Sequence, residues 1–253
     1  TQTNLDKAYS DAFTAVSNSF LNLPTIVSSM YDILYSEEIS DSEISLGSGQ
    51  KNTSALLNST YETDKDRILS YQTTAENDYA AAKKAYDSAY QNFRNASIYS
   101  ADEVIENLLT ETLAADKAVA QAIKSENNYL IAWSDSRTLR NASVFSKVIT
   151  YKTNLTTYSG QANTILSNLS SSQSSIKTCK DSIATATNSL NALVKNQPLD
   201  LTAAEASLKE KQNTLADLKA GVDPLDLKAQ ELSVAQKKNS LYDAQSALAD
   251  YTI

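Results

Sequence analysis

Residues 148–194 read VITYKTNLTTYSGQANTILSNLSSSQSSIKTCKDSIATATNSLNALV and carry the most regular pattern in the chain. Apolar side chains recur there every seven residues, and a second apolar series follows three residues behind. The first series is Val148, Leu155, Ala162, Leu169, Ile176, Ile183 and Leu190. Spacings of three and four residues place side chains on one stripe of an α-helix. The pattern therefore predicts a long helix near 140–196 that packs its stripe against neighbouring helices.

The same spacing returns in segments 1–36, 61–97 and 101–136, so we expect helices there as well. The 253 residues include only 4 Gly and 3 Pro, and sheets and barrels need more turns than so few chain-breaking residues allow. We expect an all-α fold, an elongated antiparallel bundle of about six helices. The polar stretch 37–60 lacks the spacing and is predicted to be a flexible connection.

The last part of the chain is predicted to be an antiparallel helical hairpin over 199–253. Pro198 is expected to end the long helix, because proline lacks the backbone N–H that a helix interior uses. Gly221 suits the left-handed residue after a helix, Asp223 suits an N-cap, and Pro224 suits a first turn. An even number of helices would return both ends of the chain to the same end of the bundle.

The spacing also defines a candidate coiled-coil seam, the apolar stripe along which two helices pack. Its members are Leu155, Leu169, Ile176, Ile183, Leu190, Leu227, Val234, Leu241 and Leu248.

Composition argues against chemistry of several kinds. The chain has no His, which removes the commonest general base and metal ligand. Its single cysteine, Cys179, cannot form an internal disulfide, and it falls in the second series of 148–194, three residues behind Ile176. With 22 basic and 30 acidic residues, the net charge of −8 argues against a nucleic-acid surface. We expect no enzyme activity, no cofactor, no metal site and no nucleic-acid partner.

Three features of the predicted helices admit a ligand-binding interpretation beside a packing one. Glu126 is charged within an apolar stripe and could bind a cationic substrate, although we expect its carboxylate to reach solvent near a helix end. Trp133 could stack a ligand, but packing is the simpler interpretation. The tyrosine rows could line a pocket; we expect rings that pack the bundle, with hydroxyls that reach water. Those rows contain Tyr79, Tyr86, Tyr151 and Tyr158.

The last fifty residues resemble the membrane fusion proteins, or periplasmic adaptor subunits, of the haemolysin-secretion type. The resemblance rests on LADLKAGVDPLDL at 215–227, on AQE at 229–231 and on LADYTI at 248–253. Leu248, Asp250, Thr252 and Ile253 match the family's stretch at which a helical hairpin returns to a lipoyl-like β domain. Residues 200–253 carry most of the likeness, and 1–36 fit the family's ascending helix loosely.

The resemblance implies a structural role in an export or efflux pump. Residues 1–36 would be the ascending helix of an adaptor stem, 37–196 an inserted helical bundle, and 199–253 the returning hairpin. Partners would be other adaptor subunits in a homo-oligomer and an ABC or proton-driven transporter of the inner membrane. The protein would lie outside the cytoplasmic membrane, anchored through parts beyond these residues.

Two observations bear on that interpretation. No arginine is followed by leucine, whereas family members that dock an outer-membrane duct usually carry an arginine–leucine pair at the hairpin tip. We therefore do not expect duct docking. As an alternative, the first four helices could form an extracytoplasmic four-helix sensor domain, which would predict a dimer and a small-molecule pocket between helices.

Overall fold

The computed structural model describes residues 2–43 and 49–250, and for residues 41–43 only the backbone. Every regular element among these residues is helical, so the all-α prediction is confirmed. A short 3₁₀ turn, Glu62–Asp64, precedes α4. The α-helices are α1 Gln2–Tyr35, α2 Glu38–Glu43, α3 Asn52–Asn58, α4 Lys65–Arg94, α5 Asp102–Thr138, α6 Ser146–Ala220 and α7 Pro224–Asp250.

The chain divides into two compact units, Thr1–Thr185 and Ala186–Ile253. The boundary falls within α6, so we describe each unit separately. The stretch 1–36, predicted as a separate stem, belongs to the first unit. Its helix α1 buries an apolar stripe there that includes Val16, Leu23 and Met30, none of which is exposed.

In the first unit, α1, α4, α5 and residues 146–185 of α6 form a four-helix bundle. Adjacent helices run antiparallel, as contacts at both ends show. Between α1 and α4, the Phe20 and Phe93 rings lie 4.8 Å apart at one end, and Tyr35 and Tyr79 lie 5.8 Å apart at the other. Each helix therefore reverses the direction of the one before it, in the up-and-down order of simple bundles.

The same pairing holds around the rest of the bundle. Asn92 donates to Glu111 between α4 and α5, and Lys180 of α6 pairs with Glu106 of α5. Between α6 and α1, the hydroxyl of Tyr158 donates to Ser29 over 2.9 Å. These contacts close the bundle, because α6 touches both α5 and α1.

Residues 37–60, predicted to be a flexible connection, include two short helices, α2 and α3. The side chain of Asn52 is fully buried and holds this region together: it accepts from the Ile39 N–H and donates to the Asp32 carbonyl. The hydroxyl of Tyr151, on α6, donates to Glu38 of α2. A buried polar network of this kind fixes a segment that has no apolar periodicity.

The predicted helix break at Pro198 is wrong, because α6 continues through this residue to Ala220. A proline inside a helix costs about 3 kcal/mol through one lost hydrogen bond and a steric clash. Strong helix formers follow at 203–206, and the Thr202 hydroxyl donates to the Pro198 carbonyl over 2.8 Å instead of capping a new helix. Five long helices result among the described residues, so the expected even count does not hold.

Candidate functional site

The three predicted turn residues lie between α6 and α7. Gly221 has φ +74°, a left-handed conformation that glycine adopts without steric cost. Asp223 accepts a hydrogen bond on its Oδ1 from the Leu225 N–H over 2.8 Å, as an N-cap residue does. Pro224 begins α7. Thr252 and Ile253, on which the family resemblance also rests, lie outside the described residues.

The predicted seam residues divide between the two units. Leu155, Leu169 and Ile176 are buried in the four-helix unit, and Ile183 is half-buried. The others, in the second unit, are more than half exposed: Leu190 59%, Leu227 53%, Val234 52%, Leu241 58% and Leu248 69%. No described side chain of 186–250 is buried. The seam that a closed hairpin would cover is therefore open to solvent in this unit.

Two carboxylates of α5 are buried without a hydrogen-bond partner. Asp116 and Glu126 are both 0% exposed, and none of their four oxygen atoms accepts a hydrogen bond. The expectation that Glu126 reaches solvent is wrong, because α5 continues three turns beyond it, to Thr138, and its neighbours cover it. An unpaired buried charge is costly, so such groups hold their proton.

Burial raises the pKa of both carboxyl groups. The pKa of Asp116 rises from 3.8 to about 7, and that of Glu126 rises well above its ordinary value. Asp116 was not singled out from the sequence, although a signal for it exists. It stands in a seven-residue row of α5, and the nearest members of that row are apolar and buried: Leu109, Ile123 and Leu130.

Glu126 lies near a cluster of tyrosines from α1 and α4. The Tyr35 ring is tilted against Tyr31, with 5.2 Å between the ring centroids, and meets Tyr79 edge-on at 5.8 Å. Burial, and then the Glu126 carboxylate, raise the pKa of Tyr79 to about 12. Burial also raises the pKa of Tyr35, followed by the charges of Glu76 and Glu126. A carboxylate and aromatic faces are thus gathered at one level of the bundle.

This cluster extends to the protein surface. Tyr79 is buried, Tyr35 half-buried and Tyr31 51% exposed, so the rings form a graded path from the interior outwards. The ammonium of Lys51, just before α3, lies 5.4 Å from the Tyr35 ring centroid. A cation thus already rests on the outer face of the cluster, as aromatic quadrupoles favour.

The other residues that admitted a ligand interpretation serve packing. Trp133 is fully buried, and its indole N–H donates to the Leu56 carbonyl over 3.0 Å. The hydroxyls of Tyr151 and Tyr158 donate to Glu38 and Ser29, so these two rings also join α6 to α2 and α1 by hydrogen bonds. Cys179 is half-buried in a cleft between α1 and α6.

Three clefts follow one another between α1 and α6, with volumes of about 360, 190 and 200 Å³. Their walls are mainly uncharged polar side chains, among them Asn18, Asn22, Gln161 and Asn168 in the middle cleft. A fourth, of about 270 Å³, lies between α5 and α6 beside the Glu106–Lys180 pair. None of them is lined by Glu126 or Asp116.

Comparisons of the chain with protein-family models, curated proteins and solved structures give no match. Within the described residues, no group of three or more Cys, Asp and Glu is placed to hold a metal ion. No helix in the described part of the chain is long and apolar enough to cross a membrane.

Proposed function

We propose that this chain is the helical domain of a membrane-fusion adaptor subunit of an export pump, and that its second unit mediates assembly. The observation that carries the proposal is the apolar seven-residue row on both sides of the Gly221–Pro224 turn, which stands more than half exposed. An amphipathic helix with an open stripe of this spacing is built to pair with another helix. The resemblance at 215–231 and 248–253 supports the identity of the partners: neighbouring adaptor subunits and a transporter.

The assembly surface is tested by site-specific photocrosslinking in cells that make the native protein. A photoreactive amino acid at Leu241 lies on the exposed apolar row, whereas the same probe at Asn239 lies on the opposite side of α7. We expect the Leu241 probe to capture a second copy of this protein or a membrane transporter subunit, at least fivefold above the Asn239 control. Equal yields from both positions, or capture of neither partner, would overturn the proposal.

A second candidate is an extracytoplasmic receptor domain, and the closed up-and-down bundle of the first unit favours it. Bundles of this topology hold ligands between facing helices, and here two buried carboxylates face the interior without a partner. A thermal-shift panel of amino acids, organic acids and amines checks it. The receptor candidate predicts that at least one compound raises the melting temperature by more than 3 °C; a flat response across the panel counts against it.

A further inference from the structure

The cleft of about 270 Å³ between α5 and α6 combines an apolar floor with a charged rim. Leu109 of α5 and Ile176 of α6 line the floor, and both side chains are buried. Pockets for drug-sized ligands measure about 300–1,000 Å³, so this cleft suits a smaller molecule. Because burial against an apolar floor favours apolar groups, we expect part of that molecule to be aliphatic.

The rim carries two cations and two anions that are only partly used by each other. Glu106 of α5 pairs with Lys180 of α6, and Lys177 pairs with Asp181 over 2.6 Å. Both bonds that Glu106 accepts, from Lys180 and from Tyr9, end on Oε1, and no described hydrogen bond ends on Oε2. A lysine ammonium has three N–H donors, and each of these two bonds a single carboxylate within the described chain. The rim can therefore accept one further ammonium and donate to one further carboxylate.

A rim of mixed sign selects the kind of ligand. An anion would meet the carboxylates of Glu106 and Asp181, and a cation would meet the ammonium groups of Lys177 and Lys180. A neutral apolar molecule would cover these charges without pairing with them, which costs free energy. A zwitterion satisfies both signs at once, because its two charged ends bond opposite partners.

We propose that this cleft binds a free amino acid with an aliphatic side chain. The carboxylate of the ligand accepts from Lys177 and Lys180, its ammonium donates to Glu106, and its side chain lies on Leu109 and Ile176. The site rests on the receptor candidate, whose bundle contains it, and it names the ligand class for that candidate.

The probe is L-leucine, tested by calorimetric titration and thermal shift on the full chain at pH 7.5. We expect leucine to bind and to raise the melting temperature by about 5 °C at a hundredfold excess over its Kd. Three analogues each lack one feature: 4-methylpentanoate lacks the ammonium, 3-methylbutylamine lacks the carboxylate, and glycine lacks the side chain. Each analogue should bind at least tenfold more weakly than leucine.

Two variants locate the site, each with a matched control on α4. Thr110 lines the cleft, so Thr110→Phe fills it and should abolish leucine binding. Its control is Thr73→Phe, because both threonines are exposed and donate to the carbonyl four residues earlier. Lys177→Gln removes a donor to the ligand carboxylate and should weaken binding at least fivefold. Its control, Lys83→Gln, breaks an ion pair of the same four-residue spacing.

Both controls should bind leucine like the parent chain, and circular dichroism verifies that every variant is folded. If Thr110→Phe fails to fold, Lys177→Gln decides the location by itself. Binding of 4-methylpentanoate or 3-methylbutylamine as tight as that of leucine would overturn the proposal, because the rim would then not recognise a zwitterion.

The failure of this site and the failure of the receptor candidate give different results. Absence of leucine binding by the parent chain overturns the amino-acid site, but the receptor candidate stands if another compound of the panel raises the melting temperature by more than 3 °C. Leucine binding that a folded Thr110→Phe or Lys177→Gln variant leaves unchanged also overturns the site, and the receptor candidate again stands, because leucine then binds elsewhere.

Discussion

Replacement of Asp116 by asparagine is expected to stabilise the four-helix unit at pH 8 by about 2–4 kcal/mol and to change its stability at pH 4 by less than about 1 kcal/mol. The cause is burial, which raises the pKa of this carboxyl group from 3.8 to about 7. The folded state then holds a proton that the unfolded chain has released. The free energy of unfolding is highest below pH 4 and declines as the pH rises from 4 through 7. The total loss is about 1.4 kcal/mol for each unit by which the pKa of Asp116 in the folded state exceeds that in the unfolded chain.

Chemical denaturation between pH 4 and pH 8 measures this effect. Trp133 is the only tryptophan of the chain and is buried in the four-helix unit, so its fluorescence reports on that unit alone. Asp135→Asn, an exposed position of the same helix, serves as the control and should leave the pH dependence as it is. If the free energy of unfolding of the Asp116→Asn variant declines with pH as steeply as that of the parent chain, the buried, unpaired state of Asp116 is contradicted.

The second large effect is expected from Trp133→Ala, which should cost about 3–5 kcal/mol of stability. Trp133 is fully buried on α5, its ring lies 4.8 Å from Phe145, and its N–H donates to the Leu56 carbonyl of α3. Truncation removes the ring that joins α5 to α3 and to the start of α6. For a unit of this size, the loss corresponds to a melting temperature about 10 °C lower.

Trp133→Phe separates packing from hydrogen bonding. It keeps an aromatic ring but loses the donor to Leu56, so its cost should be about 1–2 kcal/mol. Circular dichroism is the measurement, because both variants lack the fluorescent side chain. Should the alanine variant melt within 2 °C of the parent chain, Trp133 would not be a central packing residue of the unit.

The long helices could be predicted because their evidence is local. The seven-residue rows of 148–183 and 68–93 record which side of each helix is covered. The turn at Gly221, Asp223 and Pro224 depends on the backbone preferences of three residues. Helices α2 and α3 could not be predicted in the same way. Their stability comes from contacts such as those of Asn52 with Asp32 and Ile39, which no periodicity records.

The candidate site was harder to predict, because burial depends on neighbours that the sequence does not place. The sequence shows Glu126 as a charge in an apolar stripe, but whether it reaches water depends on neighbouring helices that no local pattern places. Asp116 carried a readable signal, since it interrupts a row of leucine and isoleucine. At Pro198 a strong local signal gives the wrong prediction. The proline favours a helix end, but α6 continues because strong helix formers follow it.

The two sides of α1 in the four-helix unit give the bundle an order of opening. Towards α4 the contact includes the stacked rings of Phe20 and Phe93, whereas towards α6 it is interrupted by three clefts. Thermal fluctuations will open the α1–α6 contact first. Fewer apolar contacts hold these two helices together, and water can already enter the clefts between them. The α1–α4 contact therefore resists opening more than the α1–α6 contact does. Amide protons of the α6 part of this unit should exchange with solvent sooner than those buried between α4 and α5.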